Sequence, residues 1–459
     1  MKIFRNIFIM MLSSITILSC DIEDATNLNG PTTDSVSSDL SRAELIQTIS
    51  GVLSDMRTRL GTQVDAQSVA GRDYWRVQSS DPRWTADLLT GTVDNNTFYT
   101  TAPYSSRYAT IKGVNLILEG LANTSADFTT EEIAATKGFA NTIMAHEFLM
   151  LLNQQFQNGI RIDVSDPNNL GPFVSYDEGL TAVFNMLTSA ATDLSNGGTE
   201  FPFTVPSGFD GIEGASGIPD MPENDVVSPA DFITFTNAIA ARVEAYRGNY
   251  ASVNTLLQNS FMDMGGDLSA GAYFTFSLTG ADIANPLFFA LNSTIANARL
   301  AHPSFIADAE AGDTRLSKVV LRDSALEVNG PDGVSNSSDD LIGEYDVFIY
   351  ESNVDQVSII RNEELILLSA EANHITNPAA AVAAIDVIRT SAGLPAYSGG
   401  TSPSELVDEI LIQRRYSLYA EGHRWVDVRR FDRLGDLPID RPGDAVFEQF
   451  PTPDNENRN

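Results

Sequence analysis

The sequence is poor in cysteine and histidine, and both shortages exclude kinds of site. Cys20 is the one cysteine among 459 residues, which excludes an internal disulfide framework and a zinc site built on several thiolates. The four histidines are scattered without metal-ligand spacing. His146 and Glu147 begin the zinc motif H-E-x-x-H, but residue 150 is Met. We therefore expect neither a catalytic metal nor another cofactor.

Basic residues are also scarce. The chain has 28 Lys and Arg against 61 Asp and Glu, a formal net charge of −33 at pH 7. Such a strongly acidic chain is a poor partner for nucleic acid or for an anionic membrane surface. The sequence contains no P-loop and no nucleophile elbow. These absences favour binding over catalysis.

Long apolar runs are missing except near the start of the chain. Lys2 and Arg5 precede an apolar run at residues 7–18, which is too short to span a bilayer and is typical of a signal peptide. Residues 17–20, Ile-Leu-Ser-Cys, are similar to the bacterial lipobox. We predict a lipoprotein signal peptide at residues 1–19 and lipidation, for example by palmitate, at Cys20. The alternative is an ordinary secretory signal with an incidental cysteine.

Composition and apolar spacing divide the rest of the chain. Residues 20–38 are acidic and polar and predict a flexible tether. Periodic apolar residues predict helical repeats at 39–262 and further helices at 358–459, while 263–357 reads as an irregular subdomain. Tyr246, Gly248 and Tyr250 are placed much as at the inter-helix joint of a tetratricopeptide repeat.

Helix-start signals are clear at two places. Ser228 precedes Pro229 and stands three residues before Asp231, a pattern that resembles a capping box. Ser402, followed by Pro403 and Glu405, has the same arrangement. The spacing that follows each start predicts an amphipathic helix. We therefore predict a mainly α fold, a tetratricopeptide-like scaffold of about four helix pairs with an irregular, loop-rich subdomain.

The segment 414–433 is a basic island in an acidic chain. It holds six arginines, Arg414, Arg415, Arg424, Arg429, Arg430 and Arg433, against the acids Glu421, Asp427 and Asp432. Arginine forms bidentate, partly buried pairs with carboxylates. We favour an internal salt-bridge lattice that fixes the last helices to the body. The alternative is an anion-binding patch.

The same segment carries a family resemblance. RRYSLYAEGHRWVDVRRF, at 414–431, closely resembles the terminal signature of the SusD/RagB family, and residues 359–395 resemble an upstream part of that pattern. Matching positions, with expected structural roles, are Arg361, Glu371, Arg389, Glu421, Gly422, Arg424, Trp425, Asp427 and Arg430.

The resemblance implies a function. Members of this family are lipid-anchored, cell-surface nutrient-binding proteins of the outer membrane, and they act as lids on SusC-like TonB-dependent transporters. It therefore implies membrane attachment through a lipid anchor, a transporter partner and a nutrient oligomer as ligand, most commonly an oligosaccharide. It implies no catalysis.

Aromatic residues are dense at 61–105, a segment without clear periodicity. The candidate ligand-binding residues are Tyr74, Trp75, Trp84, Asn96 and Tyr99. Their rings either tuck back and plug the end of the helical stack, or form an exposed platform on which sugar rings stack. In the family that this chain resembles, this loop is one place where ligand-stacking aromatics occur.

Two other functions and one ion remain as alternatives. With 61 carboxylates some pair will lie at the spacing of a glycoside hydrolase, although Glu363 and Glu364 are adjacent on a helix and point apart. A helical-repeat scaffold that binds another protein is the second alternative. The acidic loop 329–340 could hold Ca²⁺, but it lacks the EF-hand order of ligands, and a solvated loop is the favoured interpretation.

Overall fold

The computed structural model of the chain describes residues 32–212, 227–280, 282–330 and 333–456. The predicted signal peptide, Cys20 and residues 21–31 of the predicted tether lie outside these ranges. The fold is mainly helical, as predicted. The described ranges contain the helices α1 (Thr33–Ser38), α2 (Arg42–Asp55), α3 (Leu60–Ala70), α4 (Arg83–Thr90), α5 (Phe98–Asn123), α6 (Thr130–Gln155), α7 (Tyr176–Ser195), α8 (Pro229–Tyr246), α9 (Tyr250–Gln258), α10 (Pro303–Ala307), α11 (Asn362–Asn373), α12 (Pro378–Ser391), α13 (Pro403–Ser417) and α14 (His423–Arg430).

Eight helices form the predicted scaffold of helix pairs. Helices α5, α6, α7, α8, α9, α11, α12 and α13 pack each on the next, which gives four consecutive pairs. At the joint of α8 and α9 the chain turns through Gly248 with φ of 72°. The last helices also have a separate small core, in which Ile366, Ile385 and Leu406 of α11, α12 and α13 meet.

Capping boxes begin several of these helices. The side chains of Ser228 and Ser402 accept a hydrogen bond from the backbone N–H three residues on, and Asp231 and Glu405 bond back to the capping residue. Both predicted helix starts are confirmed. Each such cap stabilises its helix by about 1 kcal/mol, because it satisfies N–H groups that have no partner within the helix.

A small antiparallel sheet lies beside the helices. The strands of the described ranges are β1 (Tyr74–Val77), β2 (Ile160–Arg161), β3 (Phe173–Val174), β4 (Gly271–Phe274), β5 (Ala298–Ala301), β6 (Val319–Val328), β7 (Leu341–Val347) and β8 (Val357–Arg361). The largest sheet has the order β1-β5-β7-β6, with Tyr74 opposite Ala301 and Val319 opposite Val347. Residues 263–357 are thus less irregular than we predicted.

Two sequence-based boundaries need correction. Residues 61–105 are not a loop, because they hold most of α3, β1, α4 and the start of α5. Nearly every residue of α3 is buried, so its sequence shows no polar face and no helical period. The ordered fold also begins before residue 39: Thr32 caps α1, and Val36 packs in the core against Gly120, where a Cβ would collide with the Val36 carbonyl oxygen.

Within the described ranges, no helix combines the length and the apolar character that a membrane span requires.

Candidate functional site

Buried ion pairs join the helices of the basic island. Arg414 of α13 donates from Nε to Asp427 of α14 at 2.7 Å, and Arg430 of α14 makes two bonds to Glu371 of α11, at 2.5 and 2.6 Å. Arg430 also pairs with Asp427 at 3.0 Å. For these arginines the favoured interpretation, an internal salt-bridge lattice, is confirmed.

The lattice extends to the other signature positions. Arg361 bonds Glu421 at 2.6 Å and Glu363 at 2.8 Å. Burial opposes the charge of Arg361, but these two carboxylates outweigh it and hold the pKa of the guanidinium well above its ordinary value. Arg389 bridges Glu409 and Glu310, at 2.8 and 2.9 Å. These arginines and carboxylates bond to one another, and their ion pairs fix the last helices in place.

Gly422 and Trp425 have backbone and packing roles. Gly422 precedes α14 with φ of 81°, and a Cβ there would lie 2.8 Å from Oε1 of Gln67. The conformation and the close approach both require glycine. Trp425 is buried, and its Nε1 donates to the carbonyl of Phe447 at 2.9 Å. The signature therefore positions the C-terminal tail as well as α14.

A buried arginine ties the first third of the chain to the tail. The Arg72 guanidinium donates to the carbonyl oxygens of Leu89, Ala445 and Pro438, at 3.1, 3.1 and 3.3 Å. Its Nε is 3.7 Å from a carboxylate oxygen of Asp440. Burial lowers the pKa of Arg72, because most of its hydrogen bonds go to neutral carbonyl groups and not to carboxylates.

Four of the five predicted ligand-binding residues are buried. Tyr74, Trp75, Trp84 and Tyr99 lie in the core. Their polar atoms donate to internal acceptors: Tyr74 to Asp65 at 2.7 Å, Trp75 to Asp440 at 2.9 Å, Trp84 to Gln78 at 3.1 Å and Tyr99 to Asp87 at 2.7 Å. An exposed stacking platform at these rings is wrong, and the tucked arrangement is the one found. Asn96 is exposed, away from such a platform.

A buried carboxyl group lies beside this cluster. Asp73 is buried and forms no ion pair among the described residues, and the backbone N–H of Ala420 is the one hydrogen-bonding group that acts on its carboxyl group. Burial raises the pKa of Asp73 to about 7, even though the charges of Arg424 and Arg415 act in the opposite direction.

A cavity of about 510 Å³ lies between α5 and the loop that follows β2. We call it the α5 groove, and define it by Tyr104, Tyr108, Lys112, Asn115, Leu116, Glu119, Arg161, Val164 and Leu170. Most of its wall is apolar. The cations Lys112 and Arg161, the carboxylate of Glu119 and the amide of Asn115 are the polar groups of its lining. A pocket of this size, with few polar groups on an apolar wall, is typical of a small-ligand site.

The wall of the α5 groove is held in place by Arg161. The Tyr108 hydroxyl donates to the Arg161 carbonyl at 2.9 Å and accepts from its N–H at 3.0 Å. The Arg161 guanidinium bonds Gly171 at 2.5 Å and Glu456 at 3.2 Å, and lies 4.4 Å from the ring centroid of Phe173. Burial raises the pKa of Tyr108 to about 12, so the phenol is protonated at neutral pH.

The sequence held a partial signal for the α5 groove. Tyr104 belongs to the aromatic set at 61–105, and Tyr104, Tyr108 and Lys112 recur every four residues along one face of α5. The opposite wall comes from residues 161–170, far along the chain, and contact at that separation cannot be read from helical spacing.

The acidic loop 329–340 is described except for residues 331 and 332. The Asp340 carboxylate accepts hydrogen bonds from the N–H groups of Gly330 and Ser337, both at 2.8 Å. Among the described residues, no group of three or more His, Cys, Asp or Glu could hold a metal ion. The Asp340 carboxylate therefore stabilises the conformation of the loop through these two backbone hydrogen bonds.

Two parts of the comparison with known proteins concern the sequence. Residues 350–457 match a model of the SusD family. A SusD-like protein of Formosa agariphila is 35% identical over 103 residues, which span 20% of this chain and 20% of that relative. The chain therefore matches about a fifth of the length of its curated relative.

Solved structures match over most of the chain. A SusD superfamily protein from Bacteroides vulgatus has a TM-score of 0.64 at 14% identity, over 91% of this chain and 96% of its own. A laminarin-binding SusD-like protein has a TM-score of 0.62 at 17% identity, over 91% and 97%. The chain thus shares the fold of these two structures, a helical-repeat scaffold with an attached sheet. The similarity in sequence to the SusD family lies over residues 350–457, which include the C-terminal signature.

Proposed function

We propose that this protein binds a nutrient oligomer, a glycan, at the cell surface and delivers it to a SusC-like TonB-dependent transporter of the outer membrane. The similarity of residues 350–457 to the SusD family, and of 103 residues to a SusD-like protein, supports the proposal. Two proteins of the same fold support the ligand class, one described as laminarin-binding and one as a SusD-like carbohydrate-binding protein from Bacteroides vulgatus.

The α5 groove is the observation that carries ligand binding. Its Tyr108 ring is partly exposed, and the C–H face of a sugar packs well on an aromatic face. Lys112, Asn115 and Glu119 stand along the same helix and can bond to hydroxyl groups. The arrangement supports capture of an uncharged sugar chain, since one face of each ring stacks and the edges meet polar groups.

The internal pairing of the helical carboxylates supports binding over hydrolysis. Glu363 bonds Arg361, Glu364 bonds Arg242 at 2.6 and 2.7 Å, and Glu371 bonds Arg430. The pKa of Glu364 is lowered to about 2, because Arg242 and the other cations around it outweigh burial. A carboxylate held ionised in this way cannot act as the general acid that glycoside hydrolysis needs.

Attachment to the outer membrane belongs to the same proposal. Cys20 lies outside the described residues, and its lipobox context supports a lipid anchor at the cell surface. Exposed apolar side chains support contact with a transporter. They include Leu278, Ile283, Leu291, Ile295 and Leu321, and the loop around Asn292 is joined to β6, the strand of Leu321, by a 3.0 Å bond to Asp323.

A calorimetric screen against a panel of neutral oligosaccharides tests ligand binding. We expect saturable binding to at least one glycan, and about fivefold weaker binding by Tyr108→Ala, since an aromatic contact contributes about 1 kcal/mol. The matched control is Tyr397→Ala, which removes a half-buried tyrosine far along the chain.

Three results would contradict this proposal. Unchanged affinity of Tyr108→Ala would place the ligand elsewhere. Release of reducing sugar from a bound glycan would favour a glycoside hydrolase. Binding to no member of the panel, combined with capture of a purified protein partner, would favour a protein-interaction scaffold.

A further inference from the structure

The six arginines of the basic island divide into two sets. Arg414, Arg429 and Arg430 are directed into the protein, where they bond Asp427, Glu371 and backbone carbonyls. Arg415, Arg424 and Arg433 instead line a cavity of about 630 Å³ between α10, α13 and α14. We call this cavity the arginine groove, and define it by Ser304, Asp308, Asp408, Arg415, Arg424 and Arg433.

Arg424 is the least satisfied of the three. One of its terminal nitrogens donates to the carbonyl of Arg72 at 2.9 Å, and no carboxylate of the described residues lies within the 4.0 Å limit of an ion pair with it. The buried Asp73 acts on Arg424 through its charge, but the two side chains form no direct ion pair. The remaining donors of its guanidinium are available to a group in the groove.

Arg415 stands close enough to Arg424 for the two charges to repel. Burial and then the charge of Arg415 lower the pKa of Arg424 to about 10. Arg415 itself bonds Ser304 at 2.6 Å and Asp308 at 2.9 Å, and its buried Nε has no hydrogen-bond partner among the described residues. An anion placed between the two guanidinium groups would relieve this repulsion.

Four carboxylates line the cavity, those of Asp308, Asp408, Asp427 and Asp436, and the two that pair with Arg415 and Arg433 compete only weakly for them. The side chain of Asp308, which pairs with Arg415, is 56% exposed, and that of Asp408, which pairs with Arg433, is 57% exposed. Exposed pairs of this kind are worth about 0–1 kcal/mol, because water solvates both partners well. A ligand group with better geometry can therefore replace them.

We propose that the arginine groove is a second binding site, which takes an oxyanion carried by a ligand, a carboxylate or a sulfate ester, between Arg415 and Arg424. A planar guanidinium bonds two oxygens of such a group at once. An oligosaccharide with uronic acid or sulfated units has this chemistry. The site is separate from the α5 groove and does not depend on binding of neutral sugar there.

Calorimetric titration with two small probes, sodium glucuronate and sodium sulfate, tests the site at constant ionic strength, with glucose as the neutral control. We expect saturable binding of at least one probe, at least tenfold weaker in Arg424→Gln and intermediate in Arg424→Lys, which keeps the charge but loses the planar fork. Binding of glucuronate alone assigns the carboxylate, and binding of sulfate alone assigns the sulfate ester.

Two further variants keep the test decisive if Arg424→Gln folds poorly. Asp308→Asn removes the carboxylate that competes for Arg415 and should tighten probe binding severalfold. Arg83→Gln removes an exposed arginine elsewhere, one that pairs with Asp81, and should change nothing. No saturable binding of either probe would overturn the proposal, as would equal weakening by Arg83→Gln or unchanged binding by both Arg424→Lys and Asp308→Asn. Neutral-glycan binding at the α5 groove would be unaffected by any of these results.

Discussion

Arg430 and Glu371 are joined by two nearly parallel hydrogen bonds, at 2.5 and 2.6 Å, between α14 and α11. Both side chains are almost fully withdrawn from water. A buried pair of this kind holds two helices in one relative position, since neither charge can be left alone in the interior.

Breaking that pair should destabilise the fold strongly. Glu371→Gln leaves the charge of Arg430 with Asp427 alone, and we expect a loss of about 3–5 kcal/mol in the free energy of unfolding. Arg433→Gln breaks an exposed pair with Asp408 and should cost less than about 1 kcal/mol. Urea denaturation of the two variants measures both values. Equal losses in the free energy of unfolding would show that burial of the ion pair does not determine its contribution to stability.

Two glycine substitutions should have opposite effects. Gly422→Ala must adopt φ of 81° and meet Gln67, so we expect a loss of more than about 1 kcal/mol. Gly51 lies within α2 with no atom within 4 Å of an added Cβ, and Gly51→Ala should gain about 0.5–1 kcal/mol from helix propensity. Thermal unfolding of the two variants checks the signs. Unchanged stability of Gly422→Ala would contradict the requirement for glycine at the start of α14.

Asp73 should make stability depend on pH. Its pKa is about 7 in the folded chain and near 4 when unfolded, so between these values the folded state holds the extra proton. The contribution of Asp73 to stability is therefore present below about pH 4, is lost as pH rises towards 7, and changes little above. Asp73→Asn should flatten the stability curve over this range relative to wild type. A parallel curve for the variant would exclude this titration.

The exposed side chain of Leu321 allows the proposed transporter contact to be tested separately from the stability of the fold. Leu321 is 63% exposed on β6, and Leu321→Asp should leave the melting temperature unchanged while reducing co-purification with a SusC-like transporter at least tenfold. Ile375, 56% exposed after α11, provides the control Ile375→Asp. Equal co-purification of both variants would place the contact on another surface.

Lipidation at Cys20 can be tested in growing cells. Radiolabelled palmitate should label the wild-type protein, while Cys20→Ser should carry no label and leave the membrane fraction, because acyl chains supply the anchoring energy. Label retained by Cys20→Ser would contradict the assignment.

The sequence predicted the parts of the fold that depend on local spacing. Ser228 and Ser402 marked two helix starts, and the basic island correctly indicated the lattice around Arg414 and Arg430. It failed where burial is complete. Helix α3 lacks a polar face that would reveal its period. The aromatic residues Tyr74 and Trp75 are buried, and their residue types alone do not show whether such rings are exposed or packed inside. The α5 groove was missed because Tyr108 and Arg161 are distant in sequence.

The hydrogen bonds from Arg72 to the carbonyls of Pro438 and Ala445 determine when this part of the fold can be completed during synthesis. As the chain emerges from the ribosome, helices α3 and α4 are made early, yet these two contacts arrive 366 and 373 residues after Arg72. A product cut after residue 437 would therefore expose the interior of its own first third. This part of the fold is therefore completed only after residues 438–445 have been made.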